Sequence, residues 1–180
     1  LMCGFSGVFQ SGNGDLVSVV TGMNDALTHR GPDDRGVWVD ENAGLALGHR
    51  RLAIVDLSEA GHQPMHSSCG RFVIAFNGEI YNHAELKHKL DSEGVSPQAW
   101  RGHSDTEVFL TGLASWGVEK TLQASVGMFA FALWDRQEQV LTLARDRIGE
   151  KPLYYGWQGD TLLLGSELKA IKAFPQFTGE

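Results

Sequence analysis

LMCGFSGVF, residues 1–9, places a cysteine third from the start, ahead of a glycine-punctuated apolar run. Residues 4–10 read as a strand. A buried cysteine near a terminus ordinarily fills space as a small apolar side chain. The sharper reading makes Cys3 the first residue, carrying a thiol and a primary amine together. An α-amine titrates near about 7.7–8.0 and a thiol near about 8.5. Such an amine serves as general base to its own thiol, so no separate histidine is needed.

Working outward, Leu16, Val19, Val20, Met23 and Leu27 recur at helical spacing between Asp15 and Thr28. His29–Asp34 is a polar loop with a Gly-Pro break. Short strands are expected at Gly36–Asp40, Gly44–His49 and Leu52–Val55. Arg71–Phe76 reads as a strand running into an Asn77-Gly78 turn. Asn82 with Glu85 three residues later reads as a capping box, and Gly94 as the end of that helix. Ser104 caps a second helix carrying Phe109, Leu110, Leu113 and Trp116, closed by Gly117. Two hairpins follow, Met128–Trp134 with Gln139–Ala144 and Pro152–Trp157 with Thr161–Leu164, then a short helix Ser166–Lys172. Tight turns imply antiparallel pairing. Near-continuous apolar runs imply sheets covered on both faces. The expected class is α+β, with two packed antiparallel sheets and helices outside, in a single domain over residues 1–180.

The chain has 180 residues, 42% of them hydrophobic and 21% charged, a globular balance. A net charge of −7 with 15 basic residues argues against nucleic-acid and anionic-membrane partners. No run reaches the length of a membrane span, and no signal peptide is recognised. Cys3 and Cys69 do not form a disulfide scaffold, so reduced thiols and a cytoplasmic setting are expected. His62 and His66 are flanked by Gly61 and Pro64, which disfavours a metal-binding helix. The seven histidines read as scattered surface residues, and no metal site is expected.

A thiol nucleophile needs an oxyanion hole. Asn77-Gly78 offers a side-chain amide and a backbone N–H, although the same dipeptide makes an ordinary turn. In His49-Arg50-Arg51-Leu52 one arginine of the pair faces inward if the segment is extended. An inward Arg51 suits a carboxylate held bidentately, or a structural ion pair. Asp105 either complements the dipole of its helix or holds an ammonium. Together these residues outline a pocket for an α-amino acid and suggest hydrolysis of the side-chain amide of glutamine.

The chain resembles the class II glutamine amidotransferase domain of glutamine-hydrolysing asparagine synthetases. The resemblance lies in Met2-Cys3-Gly4, His29-Arg30-Gly31-Pro32-Asp33, Arg51–Asp56, Gln63-Pro64 and Asn77–Asn82, and further on in Ser104–Glu107, Gly127–Ala132, Arg145-Asp146-Arg147 and Lys151–Tyr155. It implies the four-layer αββα sandwich of the N-terminal nucleophile (Ntn) hydrolases. It implies Cys3 as nucleophile, Asn77 and Gly78 as oxyanion hole, and Arg51, Leu52, Ala53, Ile54 and Val55 as a glutamine-binding run in which Arg51 grips the carboxylate. Glu79 and Asp105 would bind the ammonium. It implies no cofactor in this domain; ATP and Mg belong to a C-terminal synthetase domain, whose Ser-Gly-Gly…Asp-Ser loop is not in this sequence. Expected partners are L-glutamine, that synthetase domain and a second copy in a homodimer. Two further readings are a related amidotransferase with another acceptor, a sugar or another carboxylate, and a non-catalytic glutamine-binding domain. A hydrolase built on Cys69 finds no oxyanion hole nearby. Leu1 and Met2 precede Cys3 and are expected to block its amine. Leu1 is an unusual translation start and reads as an appended residue. His103 and Glu150 depart from the family pattern.

Overall fold

The computed structural model describes residues 3–12, 14–52 and 61–179. Its elements in order are β1 (Gly4–Phe9), α1 (Leu16–Asp25), β2 (Asp34–Asp40), β3 (Leu45–Arg51), β4 (Met65–His66), β5 (Phe72–Ile80), α2 (His83–Ser92), α3 (Asp105–Trp116), α4 (Val118–Ala124), β6 (Gly127–Asp135), β7 (Val140–Arg145), β8 (Tyr154–Gln158), β9 (Thr161–Gly165) and α5 (Leu168–Lys172). The strands form two sheets, ordered β2-β3-β1-β9-β8 and β4-β5-β6-β7. Every strand pair is antiparallel.

Three apolar layers hold this arrangement together, and strand alternation sorts residues among them. Phe5, Leu45, Leu47, Val73, Ala75, Ala130, Ala132, Trp134 and Leu164 fill the space between the sheets. Their neighbours on β5 and β6, among them Ile74, Phe76, Phe129 and Phe131, point the other way onto Leu86, Leu90, Phe109 and Leu113 of α2 and α3. Val8, Ala46 and Leu163 turn outward from the first sheet onto Leu16, Val20, Met23 and Ile171 of α1 and α5. Helix, sheet, sheet and helix are therefore stacked in the expected αββα order.

Several helix ends follow local chemistry. The Asp15 carboxylate accepts from Ser18 N at 3.0 Å, and Ser104 Oγ accepts from Thr106 N at 3.1 Å. Gly117, at φ 83°, closes α3 and leads at once into α4, an element the sequence reading did not foresee. Helix α1 stops at Asp25, short of Thr28.

Two expectations are corrected. Asn82 does not form a capping box. Its side-chain amide donates to Ala124 O at 3.0 Å and its Oδ1 accepts from Val126 N at 2.9 Å, tying α2 to the segment before β6. Asn77-Gly78 is not a turn either, because β5 runs through it and pairs Asn77 with Ala130 and Gly78 with Phe129. Glycine is needed there for space: a Cβ at Gly78 would collide with Met128 O and the Phe129 Cα of β6. Of the expected strand Leu52–Val55, Leu52 follows β3, while Ala53, Ile54 and Val55 lie outside the described residues. Among the described residues no helix is long and apolar enough to cross a membrane.

Candidate active site

β1 is the central strand of its sheet, so Cys3, one residue ahead of it, emerges at the sheet's end. The β1–β3 register pairs Gly4 with Arg50. Extended by one residue, it sets Cys3 beside Arg51. On β3 the inward positions run Leu45, Leu47, His49, Arg51; on β5 they run Val73, Ala75, Asn77, Glu79. The last residues of each series face a cavity of about 330 Å³ between the sheets. Cys3, Arg51, Leu52, Asn77, Gly78, Glu79 and Asp105 all line it. Ala53, Ile54 and Val55 of the expected glutamine-binding run lie outside the described residues.

The Cys3 thiol is held by the backbone of Leu52. Leu52 N donates to Sγ at 3.3 Å, and the thiol faces Leu52 O at 3.7 Å. Burial pushes the Cys3 thiol up, against the Leu52 N–H and the positive Arg51 and Arg30, which pull it down. Arg30 Nε donates to Cys3 O at 2.9 Å and Arg30 Nη1 to Glu167 at 2.9 Å. Glu167 also meets His29 and Lys169. Partial burial opposes its ionisation, but hydrogen bonds from Arg30, His29 and Lys169 bring it down to about 2.

Across the cavity, Asn77 is buried and its Nδ2 has no hydrogen-bond partner among the described residues. An unsatisfied buried amide costs about 1–3 kcal/mol, so a group in this position calls for a partner that the cavity can admit. The Asp105 carboxylate accepts from Ile80 N at 2.8 Å. Burial raises its pKa, against hydrogen bonds from Ile80 and Thr106 and the nearby His83. The Arg51 guanidinium lies against Gly61, where any Cβ would strike it. The cavity wall thus carries a thiol, an amide donor, a guanidinium and two carboxylates. That set can bind a zwitterion and present its side-chain carbonyl to sulfur. Among the described residues no acidic, cysteine or histidine cluster fits a metal ion.

Residues 2–180 match the family model for the glutamine amidotransferase domain. The chain belongs to that family. It is 38% identical to a putative glutamine-hydrolysing asparagine synthetase of Methanocaldococcus jannaschii, over 96% of this chain and 35% of that protein. It is 42% identical to asparagine synthetase 3 of Bacillus subtilis, over 85% of this chain and 24% of that protein. It is also 39% identical to Amidase chry2 of Gibberella zeae, over 90% and 24%. The chain therefore spans about a quarter to a third of the curated relatives it matches. A glutamine phosphoribosylpyrophosphate amidotransferase from B. subtilis superposes with a TM-score of 0.77 at 23% identity, over 96% of this chain and 43% of that one. That likeness confirms the Ntn-hydrolase fold.

Several residues of this amidotransferase cavity carry no role in the sequence reading. Gln63, His83, His103 and Lys151 also line it. Lys151 is buried, which lowers its pKa, with Glu150 and Cys3 pulling the other way. Its place is set by Asp146, whose carboxylate accepts from Phe129 N at 3.2 Å, Glu150 N at 2.8 Å and Lys151 N at 2.9 Å. The Arg145-Asp146-Arg147 and Lys151-Pro152 motifs were the available signal, since they belong to the resemblance. The surface reading of the histidines fails at His49, which is 1% exposed between the sheets. Cys69 is exposed, bonds to Ser67 at 3.2 Å and does not line this cavity.

Proposed function

We propose that this domain hydrolyses L-glutamine to L-glutamate and ammonia through a γ-glutamyl thioester on Cys3. The observation that carries the reading is the buried Nδ2 of Asn77, without a partner among the described residues, in the wall of the cavity that Cys3 also lines. Arg51 takes the substrate carboxylate. Glu79 and Asp105 take its ammonium, whose charge offsets the burial of Asp105. The amide oxygen is then directed to Asn77 Nδ2 and the Gly78 N–H.

Once Cys3 is the first residue, its amine accepts the thiol proton and the thiolate attacks the amide carbon. The tetrahedral oxyanion forms against Asn77 and Gly78. It collapses with cleavage of the C–N bond, and the ammonium of Cys3 returns the proton to the leaving ammonia. Water, deprotonated by the same amine, then cleaves the thioester and releases glutamate. Thiol and amine suffice for these steps, so the domain needs no cofactor.

The amine exists only after Leu1 and Met2 are removed, since the Cys3 nitrogen is otherwise an amide. Intact mass measured beside ammonia release tests this. The chain beginning at Cys3 is expected to turn over glutamine, whereas the chain retaining Leu1-Met2 is expected to be nearly silent. Full turnover by the longer chain overturns the own-amine mechanism. Cys3→Ala separates enzyme from binding module: it should abolish turnover while leaving glutamine binding in place.

Two of these relatives carry the names of asparagine synthetases and are three to four times as long as the matched region. The ammonia is accordingly proposed to pass to an aspartate activated by ATP and Mg²⁺ in a C-terminal synthetase domain. Reduced thiols fit a cytoplasmic enzyme.

A further inference from the structure

The open edge of β5 is the unusual feature of this site. Strand β4 pairs with β5 only at Met65–Ile74 and His66–Val73. Beyond Ile74, the edge of β5 facing away from β6 has no strand beside it among the described residues. Alternation puts the N–H and C=O groups of Phe76, Gly78 and Ile80 on this edge. Side chains replace the missing strand at two of the three positions. Gln63 Oε1 accepts from Phe76 N at 2.6 Å. His49 Nε2 meets Phe76 O at 2.9 Å; because a carbonyl only accepts, Nε2 carries the proton. Asp105 accepts from Ile80 N at 2.8 Å. Gly78, between them, opens onto the cavity.

This pattern has a chemical consequence. A regular neighbouring strand would satisfy the backbone of Gly78 along with the rest. Side chains can hold the flanking groups singly and leave that one N–H aimed at a ligand. Gln63 comes from the segment before β4 and His49 from the opposite sheet, and they grip the N–H and C=O of the same residue. The Phe76 C=O belongs to the peptide that leads into Asn77, so its orientation sets where the Asn77 side chain and the Gly78 N–H point. Both gripping side chains are buried, Gln63 at 6% and His49 at 1% exposure. Burial also holds His49 down to about 4, so it acts as a neutral imidazole with one fixed donor.

We infer that His49 and Gln63 are positioning residues of the oxyanion hole, locking the two peptides that flank Phe76 so that Asn77 Nδ2 and Gly78 N–H converge on one point. The inference rests on the glutaminase reading. Neither residue binds the ends of the substrate in that reading. Their loss should therefore lower kcat and leave KM for glutamine nearly unchanged, because a misplaced oxyanion donor is felt in the transition state.

The test uses the chain beginning at Cys3, with kcat and KM for glutamine and a melting curve for each variant. His49→Phe and Gln63→Met are expected to lose roughly 10- to 100-fold in kcat, with KM within about threefold, as for a donor displaced by about an ångström. Gln63→Glu keeps an acceptor for Phe76 N and should keep kcat within about threefold, even where its charge raises KM. If His49→Phe does not fold, the two Gln63 variants decide the matter. A Gln63→Met enzyme with parental kcat, or equal losses in Gln63→Met and Gln63→Glu, overturns the positioning role alone. A parent with no glutamine turnover overturns the glutaminase reading and this inference with it.

Discussion

Two ends of the same gap between the sheets behave oppositely. At one end β3 and β5 bring Leu45, Leu47, Val73 and Ala75 together with Ala132 and Trp134 in a closed apolar layer. At the other end, on the same strands and the same faces, Arg51, Asn77 and Glu79 line a cavity. Backbone geometry does not change between the ends. Side-chain chemistry does, and it divides the labour: one end holds the sheets together and the other lines a cavity with polar and charged side chains. Asn77 Nδ2 is buried without a partner among the described residues, a few residues along β5 from Val73 and Ala75.

This contrast can be broken at its apolar end first. Trp134 is fully buried, packs edge-on against Phe9 at 5.6 Å and donates to Asp40 at 3.2 Å. Trp134→Ala should cost about 3–5 kcal/mol of stability, read by denaturant unfolding. The kcat of the protein that remains folded should stay near the parent's. At the polar end the signs reverse. Asn77→Ala should reduce kcat about 10²- to 10³-fold, with a loss of stability well below that of Trp134→Ala. Equal destabilisation by the two variants would mean that the ends are not specialised.

His49 lies where the two ends meet and should reveal itself through pH. Its folded pKa, about 4, lies below the ordinary value of 6.5. Between these values the unfolded chain binds a proton that the folded chain refuses. Stability should therefore fall as pH drops from about 6.5 toward 4, by on the order of 3 kcal/mol in total from this residue. Unfolding of His49→Phe measured across that range should show a shallower slope than the parent. A parallel slope would show that the buried imidazole is not the group responsible.

The smallest effect is expected at the cavity rim. Burial raises the Asp105 carboxyl, so its ionised form opposes folding at neutral pH. Asp105→Asn should melt no lower than the parent, since an amide oxygen can still accept from Ile80 N. It should raise KM for glutamine about 10- to 100-fold, the value of a lost charge-assisted contact. A lower melting point with unchanged KM would make Asp105 a structural cap.

Much of the scaffold was legible because its signals are short-range. Ser104 and Gly117 bound α3 by their own hydrogen bonding and φ, and the β6–β7 and β8–β9 hairpins follow their turn residues. Asn82 and Asn77-Gly78 misled for one reason: distant backbone outbids local preference. The segment before β6 captures the Asn82 side chain. The backbone of β6 presses so closely on β5 that Gly78 serves for space rather than for a turn.

The sequence by itself determined the layered α+β architecture, both ends of α3 and, through family motifs in order, Arg51, Leu52, Asn77, Gly78, Glu79 and Asp105 as companions of Cys3 in one cavity. Periodicity and capping act over a few residues, so they can be read along a chain. Tertiary structure alone decided that Arg50 turns to Asp25 while Arg51 turns to the cavity, and that Lys151 and Gln63 join the wall. It also decided that His49 reaches across the sheets to Phe76. Those outcomes depend on which strand end faces which. That is set by the packing of two sheets whose residues lie far apart in the chain.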